Sequence, residues 1–369
     1  IVKGSANSED LGGSFSLQSN SIENFTALSQ KVQAGGFTGQ QSYRVKEEDL
    51  TLDQGNTIEA KEIELTADSG SVNISGSLFA RSNDQRSHIA LNAKEDLIIG
   101  ATAVLDASAN DVENYKSGTI EVSSTQGRVN LAGTAKVKST GKGDSGRLIV
   151  RAAATENDLN IDRLPDDLGQ VDLVEIEPIN SYRINNDIPL KDQLDQVHDS
   201  LSDYIAKAGE HIGDRLNLDS LSNVVIRPYA DITQDGDLSL SSINYSAWRF
   251  GPKEQPAEIS IRDTGNINLN GLQGDGFTGT GNELDILDQE SSSFNLVAGA
   301  DLTSASNRAV VLGSDKHLTL SDGAILRTGT GNINLSTSGD IVFGKNSSIF
   351  TAGVKGAETG HSNDGNSVY

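Results

Sequence analysis

Apolar and polar positions alternate in short triplets along most of this chain, each closed by a turn of Gly, Asn, Ser or Asp. In the clearest run, Ile325, Ile333, Ile341 and Ile349 recur every eight residues. Three triplets make a repeat of about 24 residues, the length of one turn of a three-faced parallel β-helix. Leu50 and Leu52, Ile63 and Leu65, and Val72 and Ile74 each flank a polar residue, the period-two signature of a half-buried strand. Equivalent strands start near 63, 89, 120 and 148, giving turns of 26 to 31 residues, with the excess in loops at 81–87 and 109–117. Phe15–Leu17 and Lys31–Gln33 read as weaker strands of the same rod.

The pattern breaks at about 156. Leu190, Leu194, Val197, Leu201, Ile205 and Ala208 then follow i+3/i+4 spacing, which predicts an amphipathic helix over about 189–208. Asp187 is placed to cap it, Pro189 suits its first turn and Gly209 can end it. A helix with one apolar stripe must cover something, either the flank of the rod or a neighbouring protein. Strand triplets resume at 224, including Leu238–Leu240, Ile259–Ile261, Ile267–Leu269 and Leu318–Leu320. The expected organisation is a three-faced parallel β-helix, all-β, over 1–155, a partly helical insertion over 156–222, more β-helix over 223–355, and a flexible polar tail over 356–369. Asn73, Asn130, Asn268 and Asn334 lie where side chains could stack from coil to coil.

Composition supports short strands closed by many turns: 38 Gly, 6 Pro and no Cys or Met in 369 residues. The net charge of −23 argues against nucleic acid, which needs a basic footprint, and against anionic lipid. Absence of Cys removes all thiol chemistry and suits passage through an oxidising periplasm, as it would also suit the cytosol. No run of about 20 apolar residues marks a membrane helix. Residue 1 is Ile, as expected of a piece of a longer protein.

Candidate chemistry is sparse. Trp248 is the only tryptophan and stands with Tyr245, Arg249 and Phe250; such a group could stack on a sugar face, or plug a gap in the rod. Asp235, Asp237 and Asp275 offer oxygen ligands on turns, making calcium the one cofactor to consider, although Asp-Gly is primarily turn chemistry. Asp158, Asp162, Asp166 and Asp167 form an acidic cluster of the kind a polysaccharide-cleaving β-helix would use, but no second acid recurs at rod spacing. His198 and His211 share one region as a weak metal pair.

The segments Gly236–Ser242, Trp248–Gly251, Ile259–Arg262, Gly265–Gly271, Leu296–Leu302 and Arg327–Ile333 together resemble filamentous-haemagglutinin-type outer-membrane exoproteins, over about 224–355. The resemblance implies a large bacterial adhesin, secreted by two-partner secretion through an outer-membrane transporter and displayed at the cell surface. It implies a right-handed parallel β-helix with roles in adhesion and biofilm cohesion. The expected function is therefore a structural and adhesive shaft, not an enzyme, attaching to a glycan or protein on a host or neighbouring cell. Alternatives are a subunit that self-associates end to end into an extracellular filament and, further off, a polysaccharide-active β-helix.

Overall fold

The long strands alternate buried apolar residues with outward neighbours, so each can pair in only one register. Ile63, Ile89, Ile120 and Leu148, the positions the repeat marks as equivalent, lie side by side on four successive parallel strands. The structure, a computed structural model, describes residues 3–4, 12–81, 87–108, 118–137, 146–185, 188, 190–218, 220–278 and 286–353. The tail over 356–369, the capping positions Asp187 and Pro189, and the loop 109–117 lie outside the described residues.

The chain is a right-handed parallel β-helix with a helical insertion. One long parallel sheet runs through it. Its first half comprises Ser14–Ser19, Gln40–Val45, Glu62–Ala67, His88–Ala93, Thr119–Ser124 and Arg147–Ala153. Leu173–Arg183, Tyr229–Gln234, Glu258–Asp263, Ser293–Ala298 and Ile333–Thr337 continue it, and Val224–Ile226 pairs beside Leu173–Arg183. Two shorter sheets close each half. In the first half one begins at Leu50–Leu52 and the other at Thr57–Ala60; in the second they begin at Leu238–Leu240 and Ile243–Asn244.

The halves are staggered, and among the described residues only the long sheet crosses between them. Leu173–Ile179 pair back to Arg147–Ala153, whereas forward pairing covers both Val174–Ile176, with Val224–Ile226, and Ile179–Arg183, with Tyr229–Thr233. The coil axis therefore steps sideways along the strand direction instead of continuing as one rod. This sidestep uncovers the last coil of the first half and the first coil of the second.

The insertion fills that gap. Helix α2, Leu190–Arg215, buries Leu194, Val197, Leu201, Ile205, Ala208 and Ile212. Its Tyr204 hydroxyl donates to the Asp158 carbonyl at 2.7 Å and Arg215 to that of Ile161 at 2.7 Å, both at the end of the first half. On the other side Ser200 accepts from the Tyr182 hydroxyl at 3.2 Å. The apolar stripe thus packs on the protein's own solenoid.

Lys31–Gln33 is helical, not a strand. Helix α1, Phe25–Ala34, is capped by Asn24, whose side chain accepts from the Ala27 amide at 2.8 Å. Phe25, Ser29 and Val32 give it a buried face at i, i+4 and i+7, which overrides a three-residue alternation. The Thr26 hydroxyl donates to the Thr51 carbonyl and accepts from the Asp53 amide, so α1 stands in for strands over the first coil.

The eight-residue spacing slips once. Leu326 pairs with Ile349 and Ile325 with Ser348, so the last described coil closes one residue short of the 24-residue repeat. Nor do the asparagines stack evenly. Ile98 separates Asn73 from Asn130 and Asn268 sits beside Thr319, while Asn334 does pair with Asn295.

The long sheet also folds back over its outer face. The Ala300 amide donates to the Asp263 carbonyl at 2.7 Å, and the Ala305 amide to Asp68 Oδ1 at 3.1 Å. Six strand spacings separate the strands ending at Asp263 and Ala67, about 29 Å along a flat sheet. Five residues reach at most about 18 Å. The outer positions Arg151, Glu175, Glu177, Glu258, Ser260 and Asn295 are accordingly buried.

Candidate functional site

The segment from Tyr245 to Phe250 forms a cluster beneath α2. Tyr245, Trp248 and Phe250 are 1%, 7% and 2% exposed, so little of any ring faces solvent. Tyr245 meets Trp248 at 5.1 Å and Phe294 at 5.2 Å between centroids, and His198 of α2 lies 5.7 Å from Trp248 and 5.5 Å from Phe250. These are edge and tilted contacts of the kind that fill a core. Arg249 makes a two-pronged contact with Asp275, both bonds at 3.0 Å.

That contact also settles the surroundings of Asp275. Its oxygens further accept from the amides of Gly276 and Ser292, each at 2.6 Å, and the carboxylate is fully buried. Asp235 pairs with Arg183. Asp237 accepts from the backbone and side-chain amides of Asn266, bonds that hold its carboxyl below the usual range. Asp235 and Asp237 thus share one turn, each with its own partner, while Asp275 sits apart with Arg249. Among the described residues, no group of three or more His, Asp or Glu side chains is arranged to hold a metal.

Each member of the earlier acidic cluster likewise has its own task. Asp158 meets Arg215 and His211 of α2, Asp162 meets Arg128, Asp166 meets Arg163, and Asp167 caps the short helix Leu168–Gln170. His198 and His211 point to different partners.

A partly enclosed polar site lies elsewhere, on the outer face of the first half. Residues 299–311 form a strap, closed at its base by an antiparallel bridge between Ala300 and Val310. Its tip is tied to the first half at several points. Asp301 meets Arg44 at 2.5 Å, Ser304 donates to Asp68 at 2.7 Å, and Arg308 meets Glu121 at 3.2 Å. Asn307 donates to the Tyr229 hydroxyl at 2.7 Å. Between strap and sheet is a trough of about 400 Å³. Ser42, Glu64, Thr66, His88, Asn92 and Glu121 line its floor, with Asn307 and Arg308 above.

A charged seam runs along one side of the trough. Glu121 receives Arg151 at 2.8 Å, Arg308 at 3.2 Å and His88 at 3.2 Å. Burial would raise its carboxyl, but Arg308, Arg151 and His88 outweigh that and hold it well below the usual carboxylate range. Arg151 continues to Glu177 at 2.5 Å. Burial pushes Glu177 up to about 8 against the pull of Arg151, with Glu258 and Glu175 adding to the rise. Arg227 joins Glu175 to Glu290.

Sequence patterning marks Glu64 and Glu121 only as the polar centres of their triplets, and gives no sign that a segment from the far half covers them. A usable signal exists in the spacing. Phe294 pairs with Ile333 across an unusually long turn, and the excess is the strap. No family model, no curated protein and no solved structure matches the chain, so what it shares with known proteins is stated at the level of its repetitive, mostly parallel β-solenoid fold.

Proposed function

We propose that this chain is a structural and adhesive part of a large bacterial surface protein, attaching cells to one another or to a host surface. The observation that carries the reading is the long sheet: eleven strands in one hydrogen-bonded path hold a stiff scaffold while leaving loops free to vary. The segments over 224–355 that resemble filamentous-haemagglutinin-type exoproteins support the same reading. They add export through an outer-membrane transporter and a place outside the cell.

In this account the protein acts by contact and multivalency, not by a reaction. Glu121 is committed to Arg151, Arg308 and His88, and the acids near 158–167 to separate partners, which suits scaffold more than bond cleavage. Beads coated with the chain should attach to cell layers at least tenfold more often than albumin-coated beads. Equal attachment of both would remove the adhesive reading.

End-to-end self-association is the second reading. It rests on the general tendency of an unpaired parallel strand edge to take up another strand. Sedimentation that stays monomeric up to high concentration would set it aside.

A further inference from the structure

We propose that the strap-covered trough binds a short, uncharged saccharide, which gives the adhesive reading a site and a ligand class and rests on that reading for its biological role. The volume of about 400 Å³ lies in the range of small-ligand sites. The lining selects among ligands.

The guanidinium of Arg44 faces Asp68 and Asp301, and that of Arg308 faces Glu121. An anionic ligand therefore meets cations that are already matched, together with the carboxylates of Glu62 and Glu64. An apolar ligand would strand the polar floor, at a cost for every group left unpaired. What the floor can satisfy is a molecule with closely spaced donors and acceptors. Gln18, Gln40 and Asn92 offer both kinds of group, and Ser42 and Thr66 offer hydroxyls. Among the described residues, the hydroxyl of Ser42, at 3.2 Å, is the donor to Glu64. That leaves carboxylate lone pairs for the hydroxyls of a ligand.

The register supplies the shape. Glu64, Ala90 and Glu121 occupy one row on three adjacent strands. Two strand spacings separate the outer pair, about 9.6 Å. Only the methyl group of Ala90 stands between them, so the row has an acid on each side and a shallow floor at its centre. A pyranose ring laid over Ala90 places hydroxyls toward Glu64 and toward the His88–Glu121 pair, with the strap amide of Asn307 above.

The test uses the full chain and a panel of neutral di- to tetrasaccharides (glucosides, galactosides, mannosides and their N-acetyl forms), read by ligand-observed NMR and calorimetry. At least one member should bind. Ala90→Trp, which fills the row, should weaken that binding more than tenfold, and the isosteric Glu64→Gln about three- to tenfold, with circular dichroism and Tm retained. If Ala90→Trp fails to fold, Glu64→Gln decides alone. Absence of binding by every member overturns the inference, as does wild-type affinity in the folded variants. Shortened saccharides after incubation would overturn it too, since the acids would then be cleaving and not only holding. Beads separate this inference from the reading beneath it. If Ala90→Trp beads attach to cells as well as wild-type beads, the trough is not the adhesive site although adhesion stands. If a saccharide binds but no beads attach, adhesion falls.

Discussion

Asp68 and Ser304, 236 positions apart in the chain, are joined by a hydrogen bond of 2.7 Å that pins the strap of the second half onto the first. The same carboxylate accepts the Ala305 amide at 3.1 Å and meets Arg44 at 2.7 Å, and Arg44 in turn holds Asp301. Three contacts to one side chain make Asp68 the anchor of the fold-back.

Replacing that anchor should free the strap without unfolding either half. Asp68→Ala removes the acceptor of a buried amide and one partner of Arg44, a loss of about 1–3 kcal/mol. Hydrogen exchange should show faster exchange across 299–311 while amides of the long sheet stay protected. Unchanged protection of the strap would refute its anchoring role.

The charged seam should be intolerant of one-sided removal. Arg151 bridges Glu121 and Glu177 and also stacks over the Tyr229 ring at 5.3 Å. Arg151→Met leaves two carboxylates buried beside Glu258 without their shared cation, and should cost about 3–5 kcal/mol in chemical denaturation. A loss below about 1 kcal/mol would mean that the outer face opens readily to water.

Asp263 gives a pH signature. Burial raises its carboxyl to about 7, against the Gly265 amide and with help from the charges of Asp237 and Asp235, and its Oδ2 has no hydrogen-bond partner among the described residues. Because the folded value lies above the unfolded one, the folded state binds the proton more tightly. That stability is fully present below about pH 4 and is lost as pH rises through about 7. Asp263→Asn keeps an acceptor for Gly265 and should match the wild type near pH 4. At pH 8 it should exceed it by roughly 1–2 kcal/mol, a figure reduced for partial solvent screening. A difference independent of pH would refute the assignment.

Helix α2 can be followed through the single tryptophan. Leu201 is fully buried on its apolar face, and Leu201→Ala should cost about 2–5 kcal/mol. His198 rests against Trp248, so loosening the helix should shift tryptophan emission to the red. Emission unchanged in the destabilised variant would show that the aromatic cluster holds without the helix.

The repeat was legible because inward apolar positions must align: Ile63, Ile89, Ile120 and Leu148 follow directly from spacing. The amphipathic helix was legible for the same reason, although α2 runs to Arg215, beyond the stripe that ends at Ala208 and through Gly209. What spacing does not carry is where outward residues end up. Arg151 lies just past the triplet Leu148–Val150, and Glu175 and Glu177 lie within the stretch read as the insertion; all three are buried where the long sheet folds back, a long-range event. The trough depends on that event, so its lining looked like ordinary strand surface. Trp248 stood out by rarity and by its neighbours Tyr245, Arg249 and Phe250 in the chain, whereas His198, which packs on it from α2, is joined to it by no local pattern.

The most direct measurement is detachment of chain-coated beads from cell layers under graded shear flow, with albumin-coated beads as the reference. The account predicts beads that hold at flows which strip the reference and that release when a saccharide binding the wild-type chain is added. Beads stripped as easily as the reference, on every surface tried, would contradict it.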